Sequence, residues 1–224
     1  MNCSPLSQIQ KRLFAWGMSK ANEADDRTLQ SIGHPHFLNL AQLKQSLLGK
    51  LRGRVLEIGP GAGANFKYYH PEIEWVGIEP NPFMYPHLEA EAQRYGLTQV
   101  RIETGTAEHL QVEENSIDAV VSTHVLCSVR DLDRALDEIE RVLKPNGRFV
   151  FLEHVAACSG TWTRHVQNGV APLWTNLFDR CHPNRETAAA IDRSRFTEIQ
   201  YHDFQLSFPI VSPHIAGFAV KGGG

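Results

Sequence analysis

No stretch of this chain approaches the roughly 18 to 20 consecutive apolar residues that a membrane span requires. The sequence also opens without the apolar core of a signal peptide, so the expected location is the cytoplasm. Cysteine is scarce. Cys3, Cys127, Cys158 and Cys181 form no C-x-x-C pair, which argues against a zinc site and leaves reduced thiols as the expectation. Eleven histidines are scattered, and in the close pair His34-Pro35-His36 the proline suggests a loop, so no metal is expected. A net charge of −3 gives no footprint for nucleic acid. The short basic cluster Lys50, Arg52, Arg54 reads as a solvated strand entrance. There is no internal repeat and no low-complexity linker. At 224 residues with 42% hydrophobic content, one globular domain with a sizeable core is expected.

Against these absences, one segment carries most of the information: Val55-Leu56-Glu57-Ile58-Gly59-Pro60-Gly61-Ala62-Gly63-Ala64. A β-branched apolar run from Arg54 to Ile58 stops at a glycine turn, and a helix-compatible stretch follows. Glycines there let the backbone turn tightly and approach a ligand closely. Twenty residues after Gly59, the run Trp75-Val76-Gly77-Ile78 ends in Glu79, at the tip of the neighbouring parallel strand, where a carboxylate accepts both hydroxyl protons of a ribose. Loop and acid together make an adenosine site.

Which adenosine cofactor remains open on this pattern. Gly59-x-Gly61-x-x-Ala64 satisfies the relaxed dinucleotide fingerprint, so an NAD-dependent oxidoreductase competes. Glu57, read as pointing into the site, tilts against it, because a carboxylate suits a cationic ligand and a pyrophosphate wants a basic or neutral surround.

Gly59-Pro60-Gly61-Ala62-Gly63 resembles the first motif of class I S-adenosylmethionine (SAM) methyltransferases, and later segments resemble the same superfamily in order. Gly105-Thr106-Ala107-Glu108 follows a third strand, Gln99 to Glu103. Ser116 to Thr123 matches a fourth. Leu132 to Leu143 has apolar residues at 132, 136, 139 and 143, a helical spacing stopped by Lys144-Pro145-Asn146-Gly147. Arg148 to Glu153 is a fifth strand. The resemblance implies a Rossmann-like α/β fold: a mostly parallel seven-stranded sheet, helices on both faces, an N-terminal helical cap or lid over 1–52 and a methyltransferase domain over 53–221. Strands near 196–206 and 213–221 would close the sheet. It also implies SAM as cofactor, held by Glu57, Gly59, Pro60, Gly61, Gly63, Asn65, Glu79, Pro80, Asn81, Ala107, Glu108, Thr123 and His124.

A closer resemblance covers roughly 53–221. Gly63-Ala64-Asn65-Phe66-Lys67, Val125-Leu126-Cys127-Ser128-Val129, Glu153-His154-Val155-Ala156-Ala157, Phe178-Asp179-x-Cys181 and Pro213-His214-Ile215-x-Gly217-x-Ala219-Val220 look like the group whose animal members methylate alkyl thiols. Those members begin with an apolar membrane-anchoring segment that this sequence does not show, and they usually carry aspartate where Glu79 stands.

The implied reaction is in-line transfer of a sulfonium methyl to a small-molecule acceptor, most naturally an alkyl or aryl thiol. The alternatives are C- or O-methylation of a lipid, quinone or sterol-like acceptor, or SAM binding without transfer. A thiol needs only its thiolate, and His124 and His154 are the candidate bases because histidine titrates near ~6.5. Each is equally readable as a pocket-wall residue. Cys127 reads as buried packing, and Asp179 and Cys181 as part of an insert, 156–195, facing the acceptor. Leu6, Ile9, Leu13 and Phe14 form an apolar stripe expected to pack over the cleft, with peripheral membrane contact through residues 1–20 as the alternative. The sequence leaves the oligomeric state open.

Overall fold

The computed structural model describes residue 8 and residues 11–13, 15–17, 34–208 and 210–223. Leu6, Ile9 and Phe14 of the expected stripe lie outside them. Helix α1 (Leu40–Leu48) precedes β1 (Arg54–Ile58), and β2 (Glu74–Ile78), α2 (Tyr85–Arg94), β3 (Val100–Glu103), β4 (Ile117–Thr123), α3 (Leu132–Val142) and β5 (Leu143–His154) follow. The chain continues through α4 (Trp162–Leu177) and α5 (Thr187–Asp192), then β6 (Glu198–Gln205) and β7 (Pro213–Val220). The sheet has seven strands in the order β3-β2-β1-β4-β5-β7-β6. β1 to β5 pair in parallel, while β7 runs antiparallel to both β5 and β6.

Parallel strands are buried on both faces, which is why Arg54–Ile58 and Ile117–Thr123 read as apolar runs instead of alternating. One face packs Leu56, Ile58, Val120, Phe149 and Phe151 against Leu136 and Ile139 of α3. The other packs Val55, Trp75, Val121 and Val150 against Phe66 and Leu88. Asp131 caps α3, accepting the Arg134 amide at 3.0 Å. Truncating a fully buried side chain such as Ile139 to alanine would cost about 2–5 kcal/mol.

The break at Lys144–Gly147 differs from expectation. α3 ends at Val142 and β5 begins at once, so these residues are a bulge inside the strand pair: Ile117 pairs with Leu143, and Ala119 already pairs with Arg148. Asn146 takes a left-handed φ of 64° there, the conformation its Asn-Gly sequence favours.

Strand order reverses direction between β1 and β4. In such sheets the ligand crevice opens beyond the carboxyl ends of the strands at that point. The loops after Ile58 and Thr123 face each other across it. Among the described residues, no helix is long and apolar enough to cross a membrane.

Candidate active site

The loop after β1 is shaped by three left-handed glycines, Gly59 (φ 57°), Gly61 (φ 57°) and Gly63 (φ 82°). A Cβ on Gly59 would stand 2.7 Å from Val125 Cγ2, so this turn also needs the empty space. Beneath it lies Glu57, 1% exposed. Its carboxylate accepts Asn65 Nδ2 at 2.7 Å, the Tyr69 hydroxyl at 2.8 Å and Trp75 Nε1 at 3.0 Å. Burial pushes the Glu57 carboxyl above its ordinary range, opposed by those three donors. Glu57, expected to point into the site, is thus buried with its carboxylate held by three side-chain donors, one of them Asn65 of the loop. The same Nδ2 also reaches Thr123 Oγ1 at 2.9 Å, tying the loop to the end of β4. Asn65 Oδ1 is buried and without a partner.

Glu79 sits where its spacing predicts. It accepts the Gly61 amide at 3.1 Å through one oxygen and the Asn81 amide at 2.8 Å through the other. Burial raises its pKa to about 7, against the pull of those two amides. Pro80 and Asn81 continue the tip, and Asn81 Oδ1 accepts the Phe83 amide at 3.2 Å. Asn81 Nδ2 donates to the Lys11 carbonyl at 3.1 Å, and the Arg12 guanidinium lies 4.8 Å over the Phe83 ring. Lys11 and Arg12 of the N-terminal segment thus touch the residues that follow Glu79.

Ala107 is buried after β3. The Glu108 carboxylate accepts the Arg130 amide at 2.6 Å and the Asp131 amide at 3.4 Å, so it ties the turn before α3.

Across the crevice, β4 ends at Thr123, and His124 takes a left-handed φ of 58°. That conformation is strained for a residue with a Cβ, by about 1–3 kcal/mol. A buried carboxylate enforces it. Glu153 is 0% exposed and accepts Ser122 Oγ at 2.5 Å, the Val125 amide at 3.0 Å and the Leu126 amide at 3.2 Å. Burial lifts it to about 7. A glutamate directly after the apolar run Phe149-Val150-Phe151-Leu152 is the signal that could have marked Glu153 from sequence. His124 is exposed as a residue, yet protein crowds its ring. Desolvation first, then His214 with its ring 5.2 Å away, holds its pKa well below the ordinary value.

His154 is buried at the end of β5, its Nε2 3.2 Å from Cys181 Sγ and its Nδ1 without a partner. The insert brings Cys181 there: His182 donates its amide to the Cys127 carbonyl at 3.0 Å, and Arg185 Nη2 reaches the Val129 carbonyl at 2.7 Å. Cys127, expected to be packing, is buried but belongs to a cluster with His154 and Cys181.

Residues 56–151 match the methyltransferase domain family. Human thiol S-methyltransferase TMT1A is 42% identical over 219 residues, covering 96% of this chain and 88% of that protein. The chain belongs to this methyltransferase family. The rat thiol S-methyltransferase TMT1B is 37% identical, covering 95% of the chain and 88% of that protein. Among solved structures, a geranyl diphosphate methyltransferase in complex with SAM superposes with a TM-score of 0.63 at 16% identity, over 82% of this chain and 86% of that one; this is a likeness of fold. In this methyltransferase, the glycine loop and Glu79 on one side, and His124 on the other, frame the crevice of the fold.

Proposed function

We propose that this methyltransferase uses SAM to methylate the sulfur of a small alkyl or aryl thiol. The observation that carries the acceptor class is the state of Glu153. The Glu153 carboxylate, beside the end of β4, is turned inward onto Ser122 and two backbone amides. It is closed to an acceptor, and the crevice presents the neutral imidazole of His124 instead. A thiol needs no stronger base, since its thiolate forms near neutrality. Relatives named as thiol S-methyltransferases over almost the whole chain support the same reading.

The residues fit SAM. Glu79 keeps lone pairs for the ribose hydroxyls while two amides hold its carboxylate in place. Asn65 Oδ1, buried and unpartnered, is the acceptor for the cationic amine. Gly59, Pro60, Gly61 and Gly63 allow close backbone approach, and Ala107, Thr123 and His124 complete the wall. Glu57 is a positioning residue for Asn65. Bound SAM supplies the electrophilic methyl and the driving force, so the protein's part is to hold the two sulfurs in line and exclude water, worth about 7–11 kcal/mol. His124 takes the acceptor proton. Lys11 and Arg12, which touch Asn81 and Phe83, act as part of a lid over the Glu79 side of the crevice.

The same reading puts the protein in the cytoplasm, where thiols are kept reduced. Release of S-adenosylhomocysteine from purified protein is measured against thiols, phenols and quinols. Turnover of thiols over matched phenols is expected. Faster phenol transfer would refute the acceptor, and SAM binding without product on any acceptor would leave a binding protein.

A further inference from the structure

Direct transfer from sulfonium to acceptor needs no protein thiol, yet two stand with a histidine where the insert meets the loop after β4. Cys127 Sγ, His154 Nε2 and Cys181 Sγ lie within 4.8 Å of one another. His154 Nε2 is 3.2 Å from Cys181 Sγ, and Trp174 Nε1 donates to that sulfur at 3.3 Å. An indole N–H can only donate, so the sulfur accepts there, and His154 Nε2 gives it a second donor in the tautomer that carries its hydrogen on that nitrogen. Two donors converging on a half-buried sulfur make the setting of a thiolate. The neighbouring Cys127 is fully buried, 54 residues away in sequence. The bond from His182 to the Cys127 carbonyl straps the two backbone segments together beside the sulfurs, which a disulfide would bring to about 2.05 Å.

We propose that Cys181 is a reactive thiolate, that Cys127 is its resolving thiol, and that a hydroperoxide converts the pair to a disulfide where the insert meets the loop after β4. The Cys181 thiolate attacks the outer oxygen of the peroxide, whose O–O bond breaks. The leaving oxygen takes a proton and departs as water or an alcohol, leaving a sulfenic acid. Cys127 then attacks that sulfur, the S–S bond forms, and the hydroxyl leaves as water with the Cys127 proton. Two electrons pass from the two sulfurs to the peroxide. The charge distribution matches these roles. The Cys127 thiol hydrogen bond first, then His154 and Trp174, holds Cys181 down at about 4, while Cys127 is pushed well above its ordinary value. An ionised, half-buried thiol beside a protonated, buried resolving one is the arrangement of a redox-responsive pair. A bond there would fix the loop after β4 to the insert and slow methyl transfer. That consequence rests on the function proposed above; the bond itself does not.

The test uses the full chain with Cys3→Ser and Cys158→Ser, which leaves only the pair. One equivalent of hydrogen peroxide should remove both titratable thiols and lower the intact mass by two hydrogens, and dithiothreitol should reverse both. Adding Cys127→Ser should stop the reaction at a sulfenic acid on Cys181, trapped by dimedone. Trp174→Phe should raise the pH at which iodoacetamide alkylates Cys181. Three results would overturn the proposal: irreversible oxygen addition to Cys181 with Cys127 intact; alkylation of Cys181 with the pH dependence of Cys158 in a protein keeping only that cysteine; or stoichiometric zinc protecting both thiols until chelated. If oxidation proceeds but the transfer rate is unchanged, the pair stands and the functional link falls.

Discussion

The carboxylate of Glu79 accepts the backbone amide of Gly61 at 3.1 Å, joining the tip of β2 to the middle of the glycine turn after β1. One buried acid thereby shapes the loop that approaches the cofactor and presents the lone pairs that would bind its ribose. Because Glu79 is lifted to about 7, loop geometry and ligand affinity share a single ionisation near neutral pH.

Glu79→Ala should weaken SAM binding by about 1.5–3 kcal/mol for each charge-assisted hydrogen bond lost. In the unsubstituted protein, affinity should fall as pH drops below about 7, approaching tenfold per unit, because the protonated acid loses acceptor capacity. Calorimetry across pH 5.5–8.5, roughly one unit and more either side of that value, reads both effects. NAD binding tighter than SAM would contradict the site assignment.

Glu153 sets a second pH dependence. Its folded pKa of about 7 is raised above the unfolded value near ~4.3, so between these limits the folded state binds more protons. Its contribution to stability is therefore present at low pH and lost as pH rises from about 4.5 to about 7. His214, lowered to about 4 chiefly by desolvation, acts oppositely and gains stability as pH rises through about 4 to 6.5. Denaturant unfolding of wild type against Glu153→Gln isolates the first effect: the advantage of wild type should shrink by up to about 3 kcal/mol over that window.

Gly59→Ala places a Cβ 2.7 Å from Val125 Cγ2 at a left-handed φ. A loss of about 1–3 kcal/mol is expected from backbone strain, with the clash added. Val125→Ala in the same chain should recover the clash but not the strain. Thermal melts of the two variants separate the contributions, and SAM affinity should track them.

For His124, the expected result of substitution by alanine is a fall in kcat of about 10²–10⁴. Its depressed pKa keeps the imidazole neutral throughout the neutral range, so the wild-type rate should stay flat above pH ~6.5. In His124→Ala the rate should instead climb with the ionised fraction of the thiol. Initial rates on one thiol from pH 6 to 9, roughly the range over which thiols ionise, check this. A flat profile in the variant would leave His124 as a pocket wall.

What was legible from sequence alone is what short stretches of chain dictate. Apolar runs, helical spacing read over 132–143 where the helix takes 132–142, and the acid twenty residues after Gly59 located the strands, the helix and Glu79, because a βαβ unit fixes those offsets. The misreading was also local: Lys144–Gly147 looked like a helix stop and a turn, and pairing with β4 made it a bulge. The buried setting of Glu57, whose carboxylate accepts from Asn65, Tyr69 and Trp75, was not legible from its spacing. The inward-turned Glu153, the left-handed His124 and the Cys127–His154–Cys181 cluster depended on the tertiary structure. Their partners come from separate strands and from the insert, brought together by crossovers dozens of residues long. No spacing rule encodes such contacts; packing of the sheet and insert decides them.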